Sequence, residues 1–241
     1  MKGKYFIVTF FIGFVSIFIT SFVNGPATIE SGNHQKHTYL ALGDAYVIGE
    51  GVQENERWPI QLEGALRGHE FHINYPYFVS SKTWTVDQLT QRLGEEEFDK
   101  HYDLITIQIG VNDEYKKKTI SAFTTDVKAL LTKVIALTGG KHGRVVFVSI
   151  PDWSVTPFAK KHKSDALDVL AENINKYNQV IKKETIAAGG HFVDITDISK
   201  KAATDPTLTS SDELHPSGAM YKLWVQRMYP TIIQALQMHR N

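Results

Sequence analysis

Short apolar runs that stop abruptly at glycine, aspartate or proline, each followed by a stretch with helical spacing, constrain this chain more than any other feature. Tyr39–Leu42 is a short apolar run suited to a strand buried on both faces, and Leu104–Ile109, Val145–Ile150 and Phe192–Ile195 read as further strands. Another strand is expected over His72–Val79, where Phe71, Ile73, Tyr75, Tyr77 and Val79 alternate. Between the strands, Arg57–Arg67 places Trp58, Leu62, Ala65 and Leu66 at helical spacing, and the segment from Thr85 turns Val86, Leu89 and Leu93 to one side. Ile120–Leu137 and Asp165–Ala188 are helical in period and each stops at a Gly-Gly pair, and Ser217–Met238 reads as the final helix. Pro151–Lys163 reads as a long loop whose Trp153 and Phe158 either line a pocket or pack the loop onto the sheet. Strands alternating with helices predict a parallel sheet covered on both sides, with right-handed crossovers. The expected fold is one three-layer α/β/α sandwich with a central parallel sheet of about five strands. Ligands of such sheets sit at the carboxyl ends of the strands.

The 241 residues suffice for one large domain with a full core, and no internal repeat or second domain is visible. With 26 basic and 26 acidic side chains the formal charge is zero, which speaks against a nucleic-acid partner. The absence of cysteine excludes disulfides, thiol catalysis and thiolate metal sites. Ten histidines raise the question of a metal, but no His-x-x-x-His helix or carboxylate cluster accompanies them, so neither metal nor cofactor is expected. Lys116-Lys117-Lys118 reads as a solvated helix entrance.

Lys2 and Lys4 precede an uncharged, mostly apolar run of 19 residues from Tyr5 to Val23. That is the form of a signal peptide, and also close to the length of a membrane anchor. In either case the positive charge ahead of the run keeps the N-terminus cytoplasmic and the remainder is exported. Membrane contact is expected only through this segment, if it is not cleaved. The expected organisation is a signal peptide or anchor over 1–23, a polar linker over 24–37 and the folded domain over 38–241.

Four blocks carry the chemistry. Tyr39–Leu42 hands the chain to Gly43-Asp44-Ala45 and a Gly-rich exit. Val79–Asp87 follows the second strand. Gly110-Val111-Asn112-Asp113 follows the third, and Asp212-Glu213-Leu214-His215-Pro216 precedes the last helix. In order and spacing these blocks resemble those of the SGNH, or GDSL-like, esterase and lipase family, over nearly the whole chain beyond the leader. The resemblance implies a flavodoxin-like α/β/α arrangement and ester hydrolysis by acyl transfer, on a small-molecule or glycan ester.

Acyl transfer needs a nucleophile, a base, a group that orients the base, and donors for the oxyanion. His215 is the candidate base, and Asp212, three residues earlier, can turn back to hold the imidazole in one tautomer. The resemblance implies that Asn112 and two backbone N–H groups, those of Ala45 and Lys82, form the oxyanion hole. Gly43 and Asp44 shape the turn into the site, Gly110 lets the backbone approach a ligand, and Asp113 braces its loop.

Two residues depart from the family pattern. Lys82 stands where a glycine usually supplies an N–H, so its side chain must point away or narrow the site. Ala45 stands where the nucleophilic serine is expected, and it cannot form an acyl-enzyme. Losing the serine of a comparable triad costs on the order of a million-fold in turnover. The sequence therefore leaves two functional readings: an exported ester hydrolase impaired at Ala45, or a non-catalytic protein of the same fold that binds an ester, an acid or a glycan. A purely structural envelope protein is the least economical reading, since a scaffold has no need of Asn112, Asp212 and His215 together.

Overall fold

The computed structural model describes residues 36–69, 71–95, 97–98, 101–163 and 166–237. The segment 1–23 and nearly all of the linker lie outside them. Five parallel strands, β1 (Tyr39–Gly43), β2 (Tyr77–Ser80), β3 (Leu104–Gln108), β4 (Val145–Val148) and β5 (His191–Val193), form one sheet in the order β2-β1-β3-β4-β5. This is a doubly wound sheet. The order reverses at β1, so the crevice for a ligand opens beyond the carboxyl ends of β1 and β3.

Helices α1 (Ala45–Ile48), α2 (Trp58–Gly68), α3 (Val86–Glu95), α4 (Val111–Tyr115) and α5 (Ile120–Leu137) precede α6 (Pro157–His162), α7 (Leu167–Ala187), α8 (Thr196–Ser199) and α9 (Gly218–Gln237). One face of the sheet packs on α2 and α9 through Trp58, Leu62, Tyr221 and Trp224. The other packs on α3, α5 and α7 through Leu89, Phe123, Leu130 and Ile174. Every residue of β1, β3 and β4 is buried, the polar ones of β3 included: Thr106 pairs with the Tyr39 hydroxyl at 3.0 Å and the Gln108 amide donates to the Ser149 carbonyl at 3.1 Å. Each large side chain so buried contributes about 1.5–3 kcal/mol. None of the described helices is long and apolar enough to cross a membrane.

Three expectations are corrected. The second strand runs only from Tyr77 to Ser80, because Pro76 has no N–H to offer a ladder; upstream, Ile73 makes an isolated parallel bridge with His37. The stretch 151–163 is not a plain loop: it holds a 3₁₀ turn (Trp153–Val155) and α6, whose Thr156 accepts from the Ala159 N–H at 3.1 Å while Pro157 opens the helix. The lysine triplet is not uniformly solvated. Lys116 and Lys117 are exposed, but Lys118 turns inward to three carboxylates.

Candidate active site

The turn after β1 is built by contact with β3. A Cβ on Gly43, whose φ is +158°, would lie 2.0 Å from the Gln108 carbonyl oxygen, so only a hydrogen fits. Asp44 then caps α1, its Oδ1 accepting from the Tyr46 N–H at 3.1 Å. Its carboxyl is fully buried, and burial, helped by the charge of Asp113, pushes its pKa up to about 8 against the N–H groups of Tyr46 and Gly110. Burial thus favours the neutral acid form of Asp44. Ala45 follows as the first residue of α1, buried, with no polar side chain.

The other blocks close around this turn. The Ser81 N–H donates to the Gly43 carbonyl at 3.3 Å, joining the loop after β2 to the end of β1. The Tyr46 and His215 rings meet edge to face, with their centroids 5.8 Å apart. A Cβ on Gly51 would come 2.4 Å from Ser210 Oγ and 3.1 Å from Asp212 Oδ2, so the exit from α1 packs against the turn that carries the last block.

That turn is fixed from several directions. The Ser210 N–H donates to the His215 carbonyl at 2.8 Å, and the Phe158 N–H of α6 donates to the Glu213 carbonyl at 3.0 Å. Glu213, at a φ of +65°, pairs with Lys161 of the same helix. Asp212 works with both oxygens. Oδ1 accepts from Ser210 Oγ and from the N–H groups of Leu214 and His215 at 2.7–2.9 Å; Oδ2 accepts from His215 Nδ1 at 2.6 Å. A carboxylate can only accept, so Nδ1 carries the proton and Nε2 of the neutral ring is left as a base. Burial would raise the Asp212 pKa, but the donors outweigh it and hold the carboxyl at about 2.

Asn112 is the second residue of α4, which starts directly after Gly110, whose φ of +125° and whose crowding by Ile150 and Phe123 favour glycine. The Asn112 amide donates to two backbone carbonyls of the loop after β2, Lys82 at 3.1 Å and Trp84 at 3.0 Å. Asp113 Oδ2 accepts from the Val86 N–H at 3.0 Å, a second tie between the same two blocks. The Lys82 ammonium reaches Glu50 Oε1 at 2.7 Å, linking the loop after β2 to the exit of α1.

Sequence reading missed Lys118. Its ammonium lies 2.6 Å from Asp87, 2.8 Å from Asp113 and 2.7 Å from Asp126. Burial disfavours this charge, yet the three carboxylates raise its pKa. Asp113 has no exposed side-chain surface; its burial outweighs the lysine and raises its pKa. The carboxylates are close enough together to hold a cation, and the lysine ammonium occupies that place. Trp153 was the other open point. It is buried and lines a cavity of about 20 Å³ behind His215, room for roughly one water, bounded also by Tyr46, Asp152 and Trp224.

Residues 41–223 match the model of the GDSL-like Lipase/Acylhydrolase family. No curated protein is similar enough in sequence to match the chain. Among solved structures, TesA is 15% identical with a TM-score of 0.65, over 83% of this chain and 100% of its own. The psychrotrophic esterase EstA from Pseudoalteromonas sp. is 20% identical with a TM-score of 0.63, over 83% and 99%. A catalytic mutant of an acetylxylan esterase from Geobacillus stearothermophilus is 16% identical with a TM-score of 0.63, over 81% and 94%. At these identities the structures speak for the fold.

Proposed function

Because the chain belongs to the GDSL-like Lipase/Acylhydrolase family, we propose that it holds carboxylic or carbohydrate esters at the rim of β1 and β3, in an acyl-transfer site disabled at Ala45. The observation that carries this reading is the Asp212–His215 pair: one carboxylate oxygen fixes the imidazole at 2.6 Å and the other is held by three donors. Such a pair orients Nε2 as a general base. The N–H groups of Ala45 and Lys82 and the Asn112 amide are the proposed oxyanion donors, with Gly43, Asp44, Gly110 and Asp113 as their support. An apolar leader behind Lys2 and Lys4 supports export, and the acetylxylan esterase among the structural neighbours makes a glycan ester a reasonable substrate class.

The test is Ala45→Ser, alone and with Lys82→Gly, assayed on acetyl and butyryl esters beside the unaltered protein. In the serine variant the hydroxyl attacks the ester carbonyl, His215 takes its proton and returns it to the leaving alcohol, and water then releases the acid. Measurable hydrolysis in either variant is the expected result. No rate above the unaltered protein in both, with the fold intact by circular dichroism, sinks the reading of a disabled hydrolase.

A second reading, a non-catalytic ester, acid or glycan binder, draws on a different observation. The Asn112 amide is engaged with the carbonyls of Lys82 and Trp84, which is a loop-bracing arrangement. Failure of both serine variants favours it.

A further inference from the structure

Burial does not fix the carboxylate of Asp212. Its side chain is 37% exposed, so water competes for both oxygens, and the last torsion of an aspartate is broad unless partners narrow it. What holds it is a set of donors. Three converge on Oδ1: the N–H groups of Leu214 and His215 at 2.9 and 2.8 Å, and the Ser210 hydroxyl at 2.7 Å. The two amides belong to the turn that the carboxylate itself closes, and they move with it. Ser210 reaches the same oxygen from the preceding side of the turn, and its bond is the shortest of the three.

Ser210 is itself held tightly. Its N–H donates to the His215 carbonyl at 2.8 Å and its carbonyl accepts from the Glu213 N–H at 3.0 Å, so its backbone is closed into the turn. Its side chain packs against the backbone of Gly51, where a Cβ would come 2.4 Å from Ser210 Oγ and 2.9 Å from its Cβ. Gly51, at a φ of +80°, has the conformation and the crowding that favour glycine. Crowded there by the exit of α1, the hydroxyl gives its proton to Asp212 Oδ1.

The consequence reaches the imidazole. With Oδ1 taken by three donors, Oδ2 is the oxygen left for His215 Nδ1, at 2.6 Å. A rotation that exchanged the two oxygens would strand the three donors. The Tyr46 ring limits the tilt of the imidazole, but the tautomer is decided by the acceptor at Nδ1.

We infer that Ser210 is a positioning residue of this site: wedged against Gly51, its hydroxyl locks the Asp212 carboxylate and so keeps the His215 proton on Nδ1 and leaves Nε2 as the base. The inference rests on the reading of Asp212 and His215 as the orienting pair and adds a third member whose hydroxyl acts through the carboxylate.

The experiment uses Ser210→Ala, which removes the hydroxyl and keeps both backbone bonds. The ring-nitrogen chemical shifts of His215, read by NMR on the full-length protein about two pH units above the ordinary imidazole value of roughly 6.5, report the tautomer. The unaltered protein is expected to show the Nδ1–H form almost alone, and Ser210→Ala to raise the Nε2–H fraction by roughly tenfold, with the fold checked by circular dichroism. In the Ala45→Ser background, Ser210→Ala is expected to lower kcat roughly tenfold with KM within about twofold. Unchanged ring-nitrogen shifts in Ser210→Ala overturn the assignment even where a urea titration shows lost stability, since a hydroxyl that merely braces the turn leaves the tautomer alone. A loss of kcat/KM carried by KM alone overturns it as well. If Ala45→Ser turns nothing over, the acyl-transfer reading fails, and the tautomer measurement still decides the role of Ser210.

Discussion

The side-chain amide of Asn112 donates to the backbone carbonyl of Lys82 at 3.1 Å, so two of the blocks expected to supply oxyanion donors are tied directly to each other. With Trp84 as the second acceptor, both amide protons stabilise the loop after β2. To serve an oxyanion the amide must exchange one of these carbonyls for the ligand. We therefore expect Asn112→Ala, made in the Ala45→Ser protein, to lower turnover by roughly 10²–10³ and stability by about 1 kcal/mol. Steady-state kinetics and urea titrations check both. Loss of stability with turnover unchanged would make Asn112 a brace and nothing more.

Asp212 sets an acid limit. Its folded carboxyl is held at about 2, below the ordinary 3.8. The folded state thus binds the proton less readily than the unfolded chain, and the stabilisation is complete above about pH 4 and drains away as pH falls toward 2. Asp212→Asn is expected to remove this component and flatten the acid limb of a pH series of denaturant midpoints. In the Ala45→Ser background it should also cost about 10⁴ in turnover, by leaving the imidazole in the wrong tautomer.

Asp44 acts in the opposite direction. With its folded pKa raised to about 8, the folded state keeps a proton that the unfolded chain has released, so this group makes stability fall as pH rises from about 4 to about 8. Asp44→Asn mimics the neutral acid and keeps an acceptor for the Tyr46 N–H. Its stability should change less over that window than that of the unaltered protein. A parallel decline in both, measured by chemical denaturation, would show that Asp44 is already ionised at neutral pH.

Lys118→Met should destabilise the fold by about 2–3 kcal/mol, because Asp113 then sits buried beside two further carboxylates with no counter-charge. The figure is below that for a fully buried pair because Asp87 and Asp126 keep contact with water. Calcium is expected to restore part of the loss in this variant and to leave the unaltered protein unchanged. Thermal unfolding with and without the ion reads both effects.

The helix over Ile120–Leu137 was legible in the sequence to the residue, because a helical period ended in a Gly-Gly stop. The sheet was legible from short, largely apolar segments alternating with stretches of helical period. The strand over 72–79 was overread, since alternation alone does not reveal that Tyr75 and Tyr77 are exposed or that Pro76 interrupts the ladder. Helix α6 carried a Thr-Pro start signal that was passed over for want of a long apolar period. Lys118 left no readable trace: its partners stand 31, 5 and 8 residues away, and only the packing of α3, α4 and α5 brings them to one ammonium. The engagement of Asn112 was likewise invisible, since it depends on where two backbone carbonyls point.

The parallel order β2-β1-β3-β4-β5 also governs when the site can exist. No neighbouring strands are joined by a hairpin; each pairing waits for a crossover, and β1 waits for β3 before it is flanked on both sides. Tyr46 meets His215 only after nearly the whole domain has been made, and Gly51 receives the Ser210–Asp212 turn at the same late stage. Contacts of such sequence separation are slow to form. A chain emerging from its N-terminus therefore passes through a period in which the turn after β1 has no partner on its far side. Aggregation during synthesis, rather than loss of a finished site, is then the characteristic failure of variants truncated before α9.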